Sequence, residues 1–192
     1  MPVAVYQLQS SAASPVTLAE AKAALRITGA TEDTLIENII DACTEWGESY
    51  TRRSFRAQTW KLLLDEFSDH IEIRRQLVDA ITSITHLVSA SPVVVTSTVY
   101  YLKQTPQGAE VVLASGQSWP TDTDEQEQAI VVNFTTAAWT RHASLIKEAI
   151  LKHVAAMYAN RGDCVDGQCA ASDFAKRSGA ISLYDMFAIA RV

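Results

Sequence analysis

Three clusters in this chain hold residue types that could do chemistry. The first is Cys164 and Cys169, separated by four residues, with His153 upstream. Thiolates and an imidazole are zinc ligands, but a tetrahedral site needs a fourth donor, and no second histidine or cysteine partner is evident. A pair of thiols in a polar loop is the plainer reading, and no metal is expected. The second is "TDTDEQEQ" at 121–128, carrying Asp122, Asp124, Glu125 and Glu127. It has part of the acidic pattern of a calcium loop, yet lacks the central glycine and the correctly placed terminal glutamate. An acidic loop facing solvent, a channel or a partner is expected instead. The third is "TEWGESYTRRSFRAQTW", Thr44–Trp60, where Trp46, Tyr50, Phe55 and Trp60 interleave with Arg52, Arg53 and Arg56. Single-stranded nucleic acid is held this way, with rings under bases and guanidinia on phosphates.

Charge weighs against that last use over any broad surface. Sixteen basic residues face twenty-two acidic ones, for a net charge of −6, whereas nucleic-acid binders usually show the opposite balance. A small nucleic-acid-binding module using Arg52, Arg53 and Arg56 stays as the alternative reading. Catalytic signatures are missing: there is no glycine-rich phosphate loop, no nucleophile elbow and no paired-histidine helix. His70, His86, His142 and His153 are dispersed. No enzyme and no cofactor are expected. No apolar run reaches the length of a membrane span, and "MPVAVYQLQSSAASPVTLAE" lacks the basic start and apolar core of a secretory signal. Cytoplasmic synthesis with no membrane partner is expected.

The elements that would position these residues follow from periodicity. Thr17 with Glu20 three residues on is a capping box opening a helix over about 18–28, with Gly29 as its stop. A second helix is predicted over about 32–53, because Leu35, Ile36, Ile39, Ile40, Cys43, Trp46 and Tyr50 recur at spacings of three and four. On that helix the rings continue an apolar stripe, and Arg52 and Arg53 fall in the last turn, where cations meet the negative end of the dipole. The period then changes to two. Gln58, Trp60, Leu62 and Leu64 form one face of a strand, and further strands are predicted at 70–74, 80–88, 93–102 and 129–136. "QTPQGAE" reads as the turn of a hairpin ending in "EVVLA". A third long helix is predicted over about 142–160.

The fold expected is α+β: a helical core of two N-terminal helices and one long C-terminal helix, with an inserted antiparallel β region over about 57–136 and a C-terminal extension. Residues 1–161 are expected to form one domain and 162–179 a linker. Residues 180–192, "AISLYDMFAIARV", are expected to be a docking arm. Ile181, Leu183, Tyr184, Met186, Phe187, Ile189 and Val192 are a heavy apolar load after a polar linker, and either fold back or enter a groove on another protein.

The order of "PVTLAEAKAALRI", "LIENIIDACTEWGESYTRRSFRAQTWKLLLDEF", "SITHLV", "SGQSWP", "IVVNFTTAAW" and "IKEAILKHVAAMYANR" resembles the head–tail connector family of tailed bacteriophages over about residues 15–161. The resemblance implies a non-enzymatic virion adaptor at the head–tail interface, assembled in the host cytoplasm. It implies a homo-oligomeric ring, a dodecamer, bound to the portal protein above and to a tail-side stopper or tail-completion protein below. DNA would pass through its lumen without specific binding. The resemblance makes the arm, with Ile181, Leu183, Tyr184, Met186, Phe187, Ile189, Arg191 and Val192, a candidate portal latch. Asp33, Glu37, Asp41 and Glu45, spaced by four, form an acidic stripe that would face Arg52, Arg53 or Arg56 of the adjacent subunit.

Overall fold

A computed structural model describes residues 4–75, 77–105, 108–160 and 171–188. The chain is a mixed α+β fold of two compact units made from interleaved segments. A strand unit comprises Met1–Ala12 and Ala57–Ala138, and a helical unit comprises Ala13–Arg56 and Trp139–Val192. Residues 1–161, expected as one domain, contribute to both units. The β insertion is completed by an N-terminal strand, and the helical core is completed by the C-terminal segment.

The strand unit holds two antiparallel sheets. Strands β1 (Val5–Ser11), β2 (Gln58–Leu64), β4 (Val78–Val88), β5 (Ser91–Val94) and β8 (Ile130–Thr136) form the larger, in the order β1-β2-β8-β4-β5. Strands β3 (His70–Ile73), β6 (Tyr100–Thr105) and β7 (Gly108–Leu113) form the smaller, in the order β3-β7-β6. Central β8 alternates cleanly, with Ile130, Val132, Phe134 and Thr136 buried and the residues between them half-exposed. That period-two pattern seats one face on the core. Trp60, Leu62 and Leu64 of β2 join it, with Ile71, Ile73, Ile84 and Val111. The predicted single strand over 93–102 is two strands, β5 and β6, separated by a turn. β1 escapes sequence reading because "VYQLQSS" has only a weak apolar alternation and a register shift between Leu8 and Ser10.

The β4–β5 hairpin turns on Ser89 and Ala90, both at positive φ (52° and 60°). A two-residue turn with both residues left-handed matches the strand twist but strains residues that carry a Cβ. Asp124 holds it: its two carboxylate oxygens accept the N–H groups of Ser89 (2.9 Å) and Ala90 (2.8 Å). One carboxylate of the acidic loop is therefore a hairpin clamp. No group of metal-ligating side chains suited to an ion occurs among the described residues.

The helical unit contains α1 (Leu18–Leu25), α2 (Asp33–Thr51), α3 (Ala143–Ala159), α4 (Ala171–Arg177) and α5 (Ala180–Asp185). The capping box forms as expected, with Thr17 Oγ1 accepting the Glu20 N–H at 3.2 Å and Glu20 Oε2 accepting the Thr17 N–H at 2.8 Å. α1 stops earlier than 28, because Arg26 turns left-handed at φ 57°. Ile36, Ile39, Ile40 and Cys43 of α2 pack with Ile146, Ala149, Ile150 and Val154 of α3. The predicted linker 162–179 contains α4, whose Phe174 and Ala175 are buried; residues 162–170, with Cys164 and Cys169, lie outside the described residues. No helix among the described residues is long and apolar enough to cross a membrane.

Lys147 of α3 pairs with Glu20 Oε1 at 2.6 Å. This hydrogen bond, with those from Thr17, draws the Glu20 carboxyl down to about 2. A depressed folded pKa gives stability that is present above the unfolded value and lost as pH falls through the folded one. Glu20→Gln is expected to lower the melting temperature at neutral pH. That difference should shrink between about pH 4.5 and pH 2 and vanish below, as followed by circular dichroism.

Candidate functional site

The residues expected to meet other molecules lie mostly at the C-terminal end of α2 and on the segments packed there. Arg56 is the first correction. It is 6% exposed and is held inside its own subunit. Its Nε lies 3.3 Å from Glu48 Oε2, Nη1 3.4 Å from Asp41 Oδ1, and Nη2 3.4 Å from Glu45 Oε1. Glu48 Oε1 also accepts the N–H groups of Phe55 (2.8 Å) and Arg56 (3.3 Å), so this carboxylate fastens the chain where it leaves the helix. Burial nonetheless raises the Glu48 carboxyl above its ordinary range, against the pull of Arg56. The acidic stripe is accordingly partly used within the chain. Asp33 pairs with Lys22, Asp41 and Glu45 reach Arg56, and Glu37 is exposed. Arg56→Ala would leave a buried carboxylate without its guanidinium and is expected to cost about 3–5 kcal/mol in urea unfolding. Arg56→Lys should recover only part, since an ammonium cannot span three carboxylates.

Arg52 and Arg53 do not fall in the last helical turn. α2 ends at Thr51, and Arg52 is its left-handed cap (φ 57°), exposed to solvent. Arg53 lies over the Trp139 ring, 3.0 Å from its centroid, and its Nε donates to the Phe187 carbonyl at 2.6 Å. The Trp139 backbone N–H donates to the Ser54 carbonyl at 2.7 Å, which ties the segment before α3 to the one after α2. Sequence reading missed Trp139 and Arg141 here. The only signal was their place just before α3, once α3 is known to pack on α2.

The aromatic–basic stretch does not form a base-stacking groove. Trp46 and Tyr50 stack on each other at 4.9 Å, Phe55 is buried with them in the helical unit, and Trp60 belongs to the core of the strand unit. The rings are spent on packing.

The C-terminal arm is the second correction. Ala180, Tyr184 and Phe187 are buried in the helical core, so α5 folds back onto its own subunit. Tyr184 stacks on Phe55 (6.2 Å, 9°), and Phe187 meets Phe55 edge to face (5.9 Å). Gly47 makes the room: a Cβ there would lie 2.8 Å from the Phe55 ring and 3.0 Å from that of Tyr184. Tyr184 and Phe187 are thus core residues and not a free latch. Ile181 and Leu183 are partly buried and Met186 is 65% exposed; Ile189, Arg191 and Val192 lie outside the described residues. Gly47→Ala is expected to overpack this site by about 1–3 kcal/mol and to raise amide exchange across 180–187 before the rest of the unit.

His153 is buried, with Nε2 2.8 Å from the Ala171 carbonyl and its ring edge-on to Trp46 at 5.1 Å. Desolvation holds it below the ordinary imidazole range, so it is neutral and structural.

Open depressions occur in the strand unit. One of about 620 Å³ is lined by small polar residues including Ser10, Thr59, Asp79 and Thr135. Another of about 540 Å³ is bordered by His86, Trp119 and Asp122, with His86 Nδ1 3.1 Å from Thr123 Oγ1. Neither holds a nucleophile activated by a neighbouring base.

Residues 15–87 match the family of phage gp6-like head-tail connector proteins, and the resemblance drawn from the sequence is borne out there. The match runs from just before α1 into β4. That family is made of structural virion components and not of enzymes. No curated protein sequence matches the chain. The chain is similar to a chain in the neck of an empty gene transfer agent (GTA) particle computed with C6 symmetry, at 18% identity and a TM-score of 0.71, covering 98% of this chain and 97% of that one. It is also similar to a chain in the virion of the native gene transfer agent particle, at 18% identity and a TM-score of 0.66, covering 97% and 96%. A third similar chain comes from the neck of the native particle computed with C12 symmetry, at 17% identity and a TM-score of 0.62, covering 97% of each chain. The α+β fold, both units included, is that of these neck subunits.

Proposed function

We propose that this chain, whose residues 15–87 carry a head–tail connector region, is a structural adaptor of a phage-like particle. It forms a homo-oligomeric ring beneath the portal and joins the head to a tail-side stopper or completion protein. The observation that carries the reading is the agreement of the whole fold with neck subunits from particles described with six- and twelve-fold symmetry. The interior is consistent with an assembly part: its charged clusters fasten turns and helix ends, and burial holds His153 below the ordinary imidazole range. A net charge of −6 suits a ring whose lumen DNA must slide through without being gripped.

The portal contact in this reading uses the exposed side of the C-terminal segment, Met186 above all, with Tyr184 and Phe187 holding the segment on its own core. Such a contact keeps the helix ordered before binding, which lowers the entropy cost of docking.

Mass photometry of the purified chain, alone and mixed with portal rings, tests the proposal. Many copies are expected to add to each portal ring. Met186→Asp should reduce that occupancy while leaving the melting temperature unchanged. A chain that stays monomeric and ignores portal rings at every salt concentration overturns the adaptor reading. Tight, salt-sensitive binding to DNA by the isolated chain would favour the nucleic-acid module instead.

A further inference from the structure

Within the ring reading, on which this step rests, identical copies carrying net negative charge must approach one another, and their summed fields oppose it. Contact then needs local patches of opposite sign. The helical unit has two. The first is the stripe Glu37, Asp41 and Glu45, two turns of α2 and about 12 Å long. All three are exposed; Asp41 and Glu45 keep 60% and 68% of their side-chain surface in water although they reach Arg56. Glu37 makes no ion pair among the described residues.

The second patch lies where α2 ends. Arg52 and Arg141 are both exposed, and the bond from Trp139 to Ser54 joins the two segments that carry them. Neither makes an ion pair among the described residues. Arg53, next to Arg52 in the chain, is bound to Trp139 and Phe187, and the charge of Arg141 adds to burial in lowering its pKa. Like charge from Arg52 and Arg141 is thus exposed beyond the end of α2.

We infer that the Glu37–Asp41–Glu45 stripe of one copy docks on Arg52 and Arg141 of the next. The two patches are different surfaces, so the contact is head to tail and repeats around a closed ring. Arg56, buried under its own carboxylates, takes no part, and Arg141 replaces it in the cationic half. Exposed pairs of this kind add little affinity each, but they fix register and speed encounter, and they weaken with salt. Apolar area elsewhere must supply the rest of the adhesion.

The test uses two full-length double variants, Glu37→Lys with Glu45→Lys, and Arg52→Asp with Arg141→Glu. Aspartate is chosen at 52 because it tolerates the left-handed backbone. Each variant alone should need at least about tenfold more protein than the wild type for half-assembly at low salt, in solution or on portal rings. An equimolar mixture should regain closed rings in which the two variants alternate, since each then offers the charge the other lacks. Native mass spectrometry reads both stoichiometry and alternation. If either double variant fails to melt like the wild type, Glu37→Lys and Arg141→Glu alone are used in the same design.

Variants that assemble singly as well as the wild type overturn this interface while leaving the ring reading standing. A mixture that regains only two-membered particles shows a two-fold contact and overturns the head-to-tail arrangement. A wild-type chain that never forms rings, alone or on portal, overturns the ring reading and this inference together.

Discussion

The apolar seam between α2 and α3 brings together residues far apart in the chain. Cys43 Sγ and Met157 Sδ meet at 3.3 Å across 114 positions. Isoleucines at 36, 39, 40, 146 and 150 fill the rest, all of them buried. Each helix has one apolar face and would gain little alone; packed together they bury both faces at once. The seam gives α1 a platform through the Glu20–Lys147 pair and forms the floor on which α4 and α5 lie. The surfaces proposed for assembly are attached to this floor. Their positions are only as fixed as the seam beneath them.

Where periodicity was strong, the sequence disclosed the fold closely. α2, α3, β2, β8 and the β6–β7 hairpin stand within a few residues of their expected places, because alternation or three–four spacing there coincides with actual burial. The capping box was legible atom by atom, since Thr17 and Glu20 are local to each other. What stayed hidden depended on long-range closure. β1 has too little apolar alternation to announce itself and is a strand because β2 offers it an edge. The division into two interleaved units rests on pairings between residues 5–11 and 58–63, which no local pattern reports.

The candidate site was legible in composition and misread in direction. Arg56, Asp41 and Glu45 were expected to face a neighbour, but a guanidinium beyond a helix end meets the carboxylates one, two and more turns back on the same helix. Asp124, expected only as part of an acidic loop, relieves a strained two-residue turn. Tyr184 and Phe187 looked like an anchor for another protein because their own receptor, the space left by Gly47 beside Phe55, is not visible in sequence. In each case a partner within the same chain took the group, and residues such as Arg141 and Met186 remained exposed.

The interleaving of the two units has a consequence for synthesis. The strand unit draws only on residues up to 138, so a nascent chain can complete it while the rest is still inside the ribosome. The helical unit cannot close at that stage, because α1 and α2 wait for α3, α4 and α5, which emerge later. Until then their apolar faces are open and the carboxylates of α2 have no finished surface beside them. A prematurely terminated product would therefore carry a sound β unit and no helical core. It would lack Arg141 and a finished helical surface, so it could not present both of the proposed patches.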